Sequence, residues 1–191
     1  MSVAREAAVY AIRDPINLFT TQRRILSIPA IVALSKSTSD VALYDLLKIV
    51  MEGKLQDFRD FTAMPDKAAV FAAHSLDEET CARHMRLLSL VSLAAEHEEI
   101  PYAAVAAALE VPAEEVERWV LRAAGSGLME AKMDQLRGVV LVERCAVRQF
   151  GGTEWGALKA RLDAWKANVR GVLEALDKSS AAAVDGQREK N

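Results

Sequence analysis

Three places in the sequence bring together residue types with chemical potential. Cys81 and His84 stand three residues apart, which on a helix puts a thiol and an imidazole on one face, the minimum for a nucleophile and its base. Glu96-His97-Glu98-Glu99 gathers carboxylates around an imidazole, as metal sites do. Gly125-Ser126-Gly127 offers small residues of the kind that let backbone amides close around a phosphate.

Each stops short of a working pattern. A zinc helix of the His-Glu-x-x-His type needs two imidazoles four residues apart, and His84 lies far from His97. A phosphate loop runs from strand to helix, whereas the glycines here follow a helical segment and precede an extended one. The chain has no Gly-x-Ser-x-Gly elbow, and nothing accompanies the Cys81–His84 pair. The expectation is no catalytic, cofactor-binding or metal-ligating residue, no cofactor and no enzyme.

Composition excludes further classes. Over 191 residues about half are apolar, about a quarter are charged and the net charge is −3, the profile of an ordinary packed domain. Cys81 and Cys145 are far apart and unpatterned, which predicts reduced thiols. No apolar run has the roughly 18 to 20 residues that span a bilayer, and Met1-Ser2-Val3-Ala4-Arg5-Glu6 contains no signal-peptide core. A soluble protein of the cytoplasm, with no membrane partner, is expected.

The elements that position these residues can be read from periodicity and turn chemistry. Asp14-Pro15 marks a helix start, and Ser35 to Asp40 is a polar break after which Asp40 can cap a helix. That helix carries Leu43, Tyr44, Leu47, Val50 and Met51 on one stripe and ends at Gly53, where a left-handed residue is expected. A second helix with Leu55, Phe58 and Phe61 completes a helical hairpin of the kind that stacks in repeats.

Ser75-Leu76-Asp77-Glu78 reads as a capping box for a helix through Met85, Leu88 and Val91 to about His97. Ile100-Pro101 interrupts it. A short helix over Tyr102 to Leu109 and another opened by Val111-Pro112-Ala113 follow, the latter with Val116, Trp119, Val120, Ala123 and Ala124 inward. Leu128 to Met133 and Val139 to Glu143 then alternate around a turn with Asp134 and Gly138. Three helices and a two-stranded hairpin make a winged helix.

The last helix places Trp155, Leu158, Leu162, Trp165, Val169, Val172 and Leu176 at alternating steps of three and four, an a/d seam made for packing along another helix. Small polar residues from about Lys178 to Asn191 predict a disordered tail.

A winged helix invites a nucleic-acid reading, which charge opposes. From Glu98 to Arg144 there are nine acids against five bases, and the third helix sets Glu114, Glu115 and Glu117 against Arg118 and Arg122. A basic patch of Arg23, Arg24, Lys166 and Arg170 is the alternative RNA surface. The hairpin edge at Val139, Val140, Leu141 and Val142 is instead expected to pair with a neighbouring subunit.

Specific blocks carry a family resemblance. Asp45-Leu46-Leu47-Lys48-Ile49-Val50-Met51-Glu52-Gly53-Lys54-Leu55 with Phe58 and Phe61 resembles the helical-repeat part of a PCI domain, the module shared by the proteasome lid, the COP9 signalosome and eukaryotic initiation factor three. His84 to Leu90, Ala94 to Glu96, Glu99 to Tyr102 and the turn Lys132-Met133-Asp134-Gln135 are similar to its winged helix. These blocks are shared by the signalosome subunit 7 and initiation factor subunit M families. Arg148-x-Phe150-Gly151, then Trp155, Leu158, Leu162 and Ala164-Trp165-Lys166-x-Asn168, are similar to subunit M.

The resemblance implies a mostly α fold: helical-repeat hairpins over residues 1–74, a winged helix over 75–150, a C-terminal bundle helix over 151–177 and a tail over 178–191. It also implies a non-catalytic scaffold whose partners are other subunits of the initiation factor complex, among them the MPN subunits F and H and neighbouring PCI subunits. The small ribosomal subunit would be reached through the complex. A subunit 7-like signalosome scaffold and a winged-helix RNA-binding module are the alternatives.

Overall fold

A computed structural model describes residues 2–20, 25–148 and 151–188, and its contacts divide the chain into two units, Met1–Arg148 and Gln149–Asn191. Arg23, Arg24 and Phe150 lie outside the described residues.

The first unit begins with α1 (Ser2–Arg13), α2 (Pro15–Thr20) and α3 (Pro29–Val32). The hairpin expected from sequence is formed by α4 (Val41–Glu52) and α5 (Leu55–Thr62), followed by α6 (Pro65–Ala73). Their apolar stripes meet in one core, where Phe71 receives the rings of Phe58 and Phe61 edge-on at 6.1 and 6.5 Å. Phe71 thereby links α6 to α5.

The helix α7 (Glu78–Glu96) runs through both halves of the unit. Cys81, Met85, Leu88 and Val91 join the first core, whereas Leu87, Leu90 and Ala94 join a second. At about 100° per residue the two sets lie roughly a third of a turn apart, so this helix is apolar on two faces.

The second core is completed by α8 (Tyr102–Leu109), α9 (Val116–Gly125) and a sheet of β1 (Glu99–Pro101), β2 (Met129–Asp134) and β3 (Val139–Cys145). Strand order is β1-β3-β2, all antiparallel. The order helix, strand, helix, helix, hairpin is that of a winged helix. The second unit contains α10 (Gly152–Arg188).

Several local expectations are corrected. Asp40 occupies the N-cap position of α4 but does not cap it; its buried carboxylate accepts from Arg5 Nε and Nη2 at 2.9 and 3.0 Å. Two charge-assisted bonds outcompete one backbone amide. Gly53 is extended, at φ −80° and ψ 170°, not left-handed. The glycine is needed for room, because a Cβ there would sit 2.8 Å from Ile49 O and 3.0 Å from Ile49 Cα.

The cap of α7 is Asp77, accepting from Thr80 N at 3.0 Å, rather than Ser75. Ala124 is exposed, on the outer side of α9. Ile100-Pro101, read as an interruption, is part of a third strand. The last helix continues past residue 177 to Arg188, since Ala181-Ala182-Ala183 are the strongest helix formers whatever the polarity around them.

Two outcomes follow from this packing. Gly53→Ala should destabilise the chain by about 1 to 3 kcal/mol in urea titration, because backbone must move to admit one methyl group. Hydrogen bonds from Arg5, with its charge and the Ser37 and Ser39 hydroxyls, hold Asp40 below its ordinary 3.8. The unfolded chain therefore binds the extra proton as pH falls, so this pair stabilises above about pH 4 and is lost as pH drops through the folded value. Arg5→Ala should lower the melting temperature at pH 7, and the difference from the native chain should vanish in acid.

Candidate interaction surfaces

Burial decides the fate of the Cys81–His84 pair. Cys81 is buried as a free thiol, and desolvation, aided by the Asp77 and Glu78 charges, pushes its pKa up to about 11. Burial also lowers the pKa of His84, favouring the neutral ring, and its Nδ1 has no hydrogen-bond partner. A nucleophilic dyad needs the thiolate, and this site stores the proton on sulfur. The pair is core.

The winged helix has its charges engaged internally. Arg118 pairs with Glu115 at 2.9 Å, Arg137 with Glu99 at 2.6 Å, Lys132 with Glu143 and Arg144 with Glu130. Arg122, the fifth base, stacks its guanidinium 5.1 Å from the Trp119 ring centroid. Contact with a phosphate would therefore trade an existing carboxylate or ring for each base, which sharpens the electrostatic argument from the count alone. Lys166 and Arg170 are exposed on α10, but they are the only part of the basic patch within the described residues.

The Lys132-Met133-Asp134-Gln135 turn acquires a physical role. Asp134 Oδ1 accepts from Arg137 N at 3.1 Å, closing the turn with Gly138 at φ +64°. Gln135 Nε2 donates to Glu117 Oε2 at 3.0 Å, and the other oxygen of that carboxylate accepts from Tyr102 Oη at 3.2 Å. Glu117, counted from sequence among the acids exposed on the third helix, instead ties the wing to α8 and α9.

The strand expected to offer an edge does not offer one. Val139, Val140, Leu141 and Val142 lie on β3, the central strand, whose two sides are taken by β1 and β2. Pairing with β1 covers Val139 to Leu141, and Val142 N donates to Glu98 O at 2.8 Å. Val139 and Val140 are core residues. The short β1 fills the position that the two-stranded reading left open, and the sheet's edges are β1 and β2.

The seam of α10 is where its spacing put it. Trp155, Leu158, Leu162, Trp165, Val169, Val172 and Leu176 are all exposed, Trp165 to 73% and Val172 to 60%. Leu173, absent from the sequence expectation because it falls outside the a/d steps, is 57% exposed beside them.

Arg148, read from sequence only as part of a resembling motif, proves to be the last anchored residue of the first unit. Nη2 donates to Val50 O at 2.8 Å, and Nη1 donates to Gly53 O at 3.0 Å and Ser92 Oγ at 3.1 Å. Its guanidinium lies 5.7 Å from the Phe19 ring centroid. Burial lowers its pKa to about 10, so it remains charged at neutral pH, held by carbonyls at the negative end of α4.

Comparison with known proteins divides the chain in the same way. A family model described as PCI domain matches residues 55–144, and one described as eIF3 subunit M, C-terminal helix, matches residues 148–176. Eukaryotic translation initiation factor 3 subunit M of Chaetomium globosum is 37% identical over 187 residues, 97% of this chain and 42% of that protein. The protein of the same name from Aspergillus clavatus is 38% identical over 139 residues, 71% of this chain and 30% of that protein. The one from Dictyostelium discoideum is 30% identical over 162 residues, 84% and 40% respectively. The chain thus spans less than half the length of these curated relatives.

The second match opens on Arg148. Arg148→Ala should cost about 2 to 4 kcal/mol in urea unfolding, because three partly buried acceptors lose a charged donor. Arg148→Lys should recover only part, since one ammonium cannot reach all three acceptors at once.

Proposed function

The chain belongs to the PCI-domain proteins and resembles subunit M of eukaryotic translation initiation factor 3, and on that footing we propose that it is a non-catalytic scaffold subunit of that complex. The observation that carries this reading is the pairing of a PCI domain with an exposed, uninterrupted apolar seam on the helix that follows it. A helix of this length with tryptophans and aliphatic residues in water gains by burying them against other helices. The winged helix supplies a second surface, now through the outer edges of β1 and β2 rather than through β3.

In this reading the partners are other subunits of the factor, including the MPN subunits F and H and adjacent PCI subunits. The chain reaches the small ribosomal subunit through them and works in the cytoplasm. Among the described helices none is long and apolar enough to cross a membrane. The last-helix match favours this assembly over the signalosome, with which the other resembling blocks are shared.

Purification through the tagged chain, followed by mass spectrometry, should recover initiation-factor subunits together. The Leu162→Asp/Trp165→Asp variant should recover few of them while its circular dichroism stays close to native. Signalosome subunits in place of initiation-factor subunits, or full recovery by the variant, would contradict the proposal.

A further inference from the structure

The residues beside the seam of α10 carry a second pattern. With Trp155 at position a and Leu158 at d, the flanking e and g positions between Leu158 and Val169 are Lys159, Arg161, Lys166 and Asn168. Three are bases, none is an acid, and all are exposed. Asp163 at b stands beside Lys159 and Lys166, a single acid on a side that also carries Arg170 at the next b, and Glu174 at f lies away from the seam.

In packed helices the e and g residues of one chain face those of its partner, where unlike charges attract and like charges repel. A second copy of this chain aligned in parallel would bring Arg161 toward the copy's Lys166. Aligned antiparallel, it would oppose e to e, again base to base, and g to g, where Arg161 would meet Arg161 or Asn168 of the copy. Both arrangements place like charges along the line of large apolar residues.

Beyond Val169 the flanks change character. Leu173 takes an e position and Ala175 a g position, so the apolar stripe widens from two positions per heptad toward four. A narrow seam with charged margins suits one neighbouring helix, and a wide one suits a bundle. The helix is therefore graded along its length, with charge selection confined to its first half.

We propose that the first half of the α10 seam takes a helix from a different protein chain, one with acidic residues at the positions flanking its own apolar stripe. This rests on the scaffold reading and adds the chemistry of the partner. The basic margin rejects a second copy and selects among apolar helices that the seam alone would accept equally.

The test uses the full chain and two labelled synthetic helices, each about four heptads long, with Leu at a and d. One has Glu at e and g, and its twin has Lys there. Fluorescence anisotropy should show the glutamate helix binding about tenfold more tightly than its twin near physiological salt, with the ratio shrinking toward unity at about 1 M salt. Lys159→Glu/Lys166→Glu should reverse the order, and Leu162→Asp/Trp165→Asp should abolish binding of both.

Equal binding, preference for the lysine twin, binding of neither, or self-association of the native chain that Leu162→Asp/Trp165→Asp removes would overturn the proposal. Equal binding that the aspartate variant abolishes leaves the seam as a docking surface and removes only its charge selectivity. Binding that the aspartate variant leaves unchanged removes the seam itself, and the scaffold reading with it.

Discussion

The first unit depends on one helix having two apolar faces. Met85 and Leu88 of α7 have no exposed surface in the first core, and Leu90 of the same helix has none in the second. A helix so patterned cannot be stable with water on either side, so the repeat helices and the winged helix each supply half of its cover. The chain divides neighbouring residues in the same way where β2 begins, with Leu128, just before the strand, in the first core and Met129 in the second. The two cores share α7 as a wall, and the first of them takes Leu76, Cys81, Met85, Leu88, Val91 and Leu128 from beyond residue 75.

Arg148 fastens the same junction from the other end of the sequence. Its guanidinium joins the exit of β3 to the C-terminus of α4, to Ser92 on α7 and to the ring of Phe19. Carbonyl dipoles, a hydroxyl and a π-face hold this guanidinium, which avoids burying a second ion beside it. Gly53 enters this arrangement twice, by giving its carbonyl to Arg148 and by lacking the side chain that Ile49 would exclude.

Much of this was legible because it is local. The limits of α8 and α9, the turn at Asp134 and Gly138, and the steps of the α10 seam follow from caps, glycines and periodicity within a few residues. What sequence missed is non-local. Arg5 meets Asp40 across 35 positions, Arg148 meets Val50 across 98, and three-residue β1 exists only because β3 comes back to pair with it. The edge-strand expectation at Val139 to Val142 failed for that reason: a hairpin's free side cannot be assigned until every strand is known. The seam residues are exposed, and Leu173, also exposed, shows that a strict a/d template understates where the stripe widens.

The first unit buries its apolar residues in its own two cores, whereas the apolar seam of α10 is exposed and calls for another helix to cover it. Hydrogen exchange of the chain, alone and within the purified initiation-factor complex, tests this most directly. Amides of residues 155–176 should exchange quickly in the free chain and slowly in the complex, while those of α7 should be protected to the same degree in both. Equal protection of residues 155–176 in both states would contradict it.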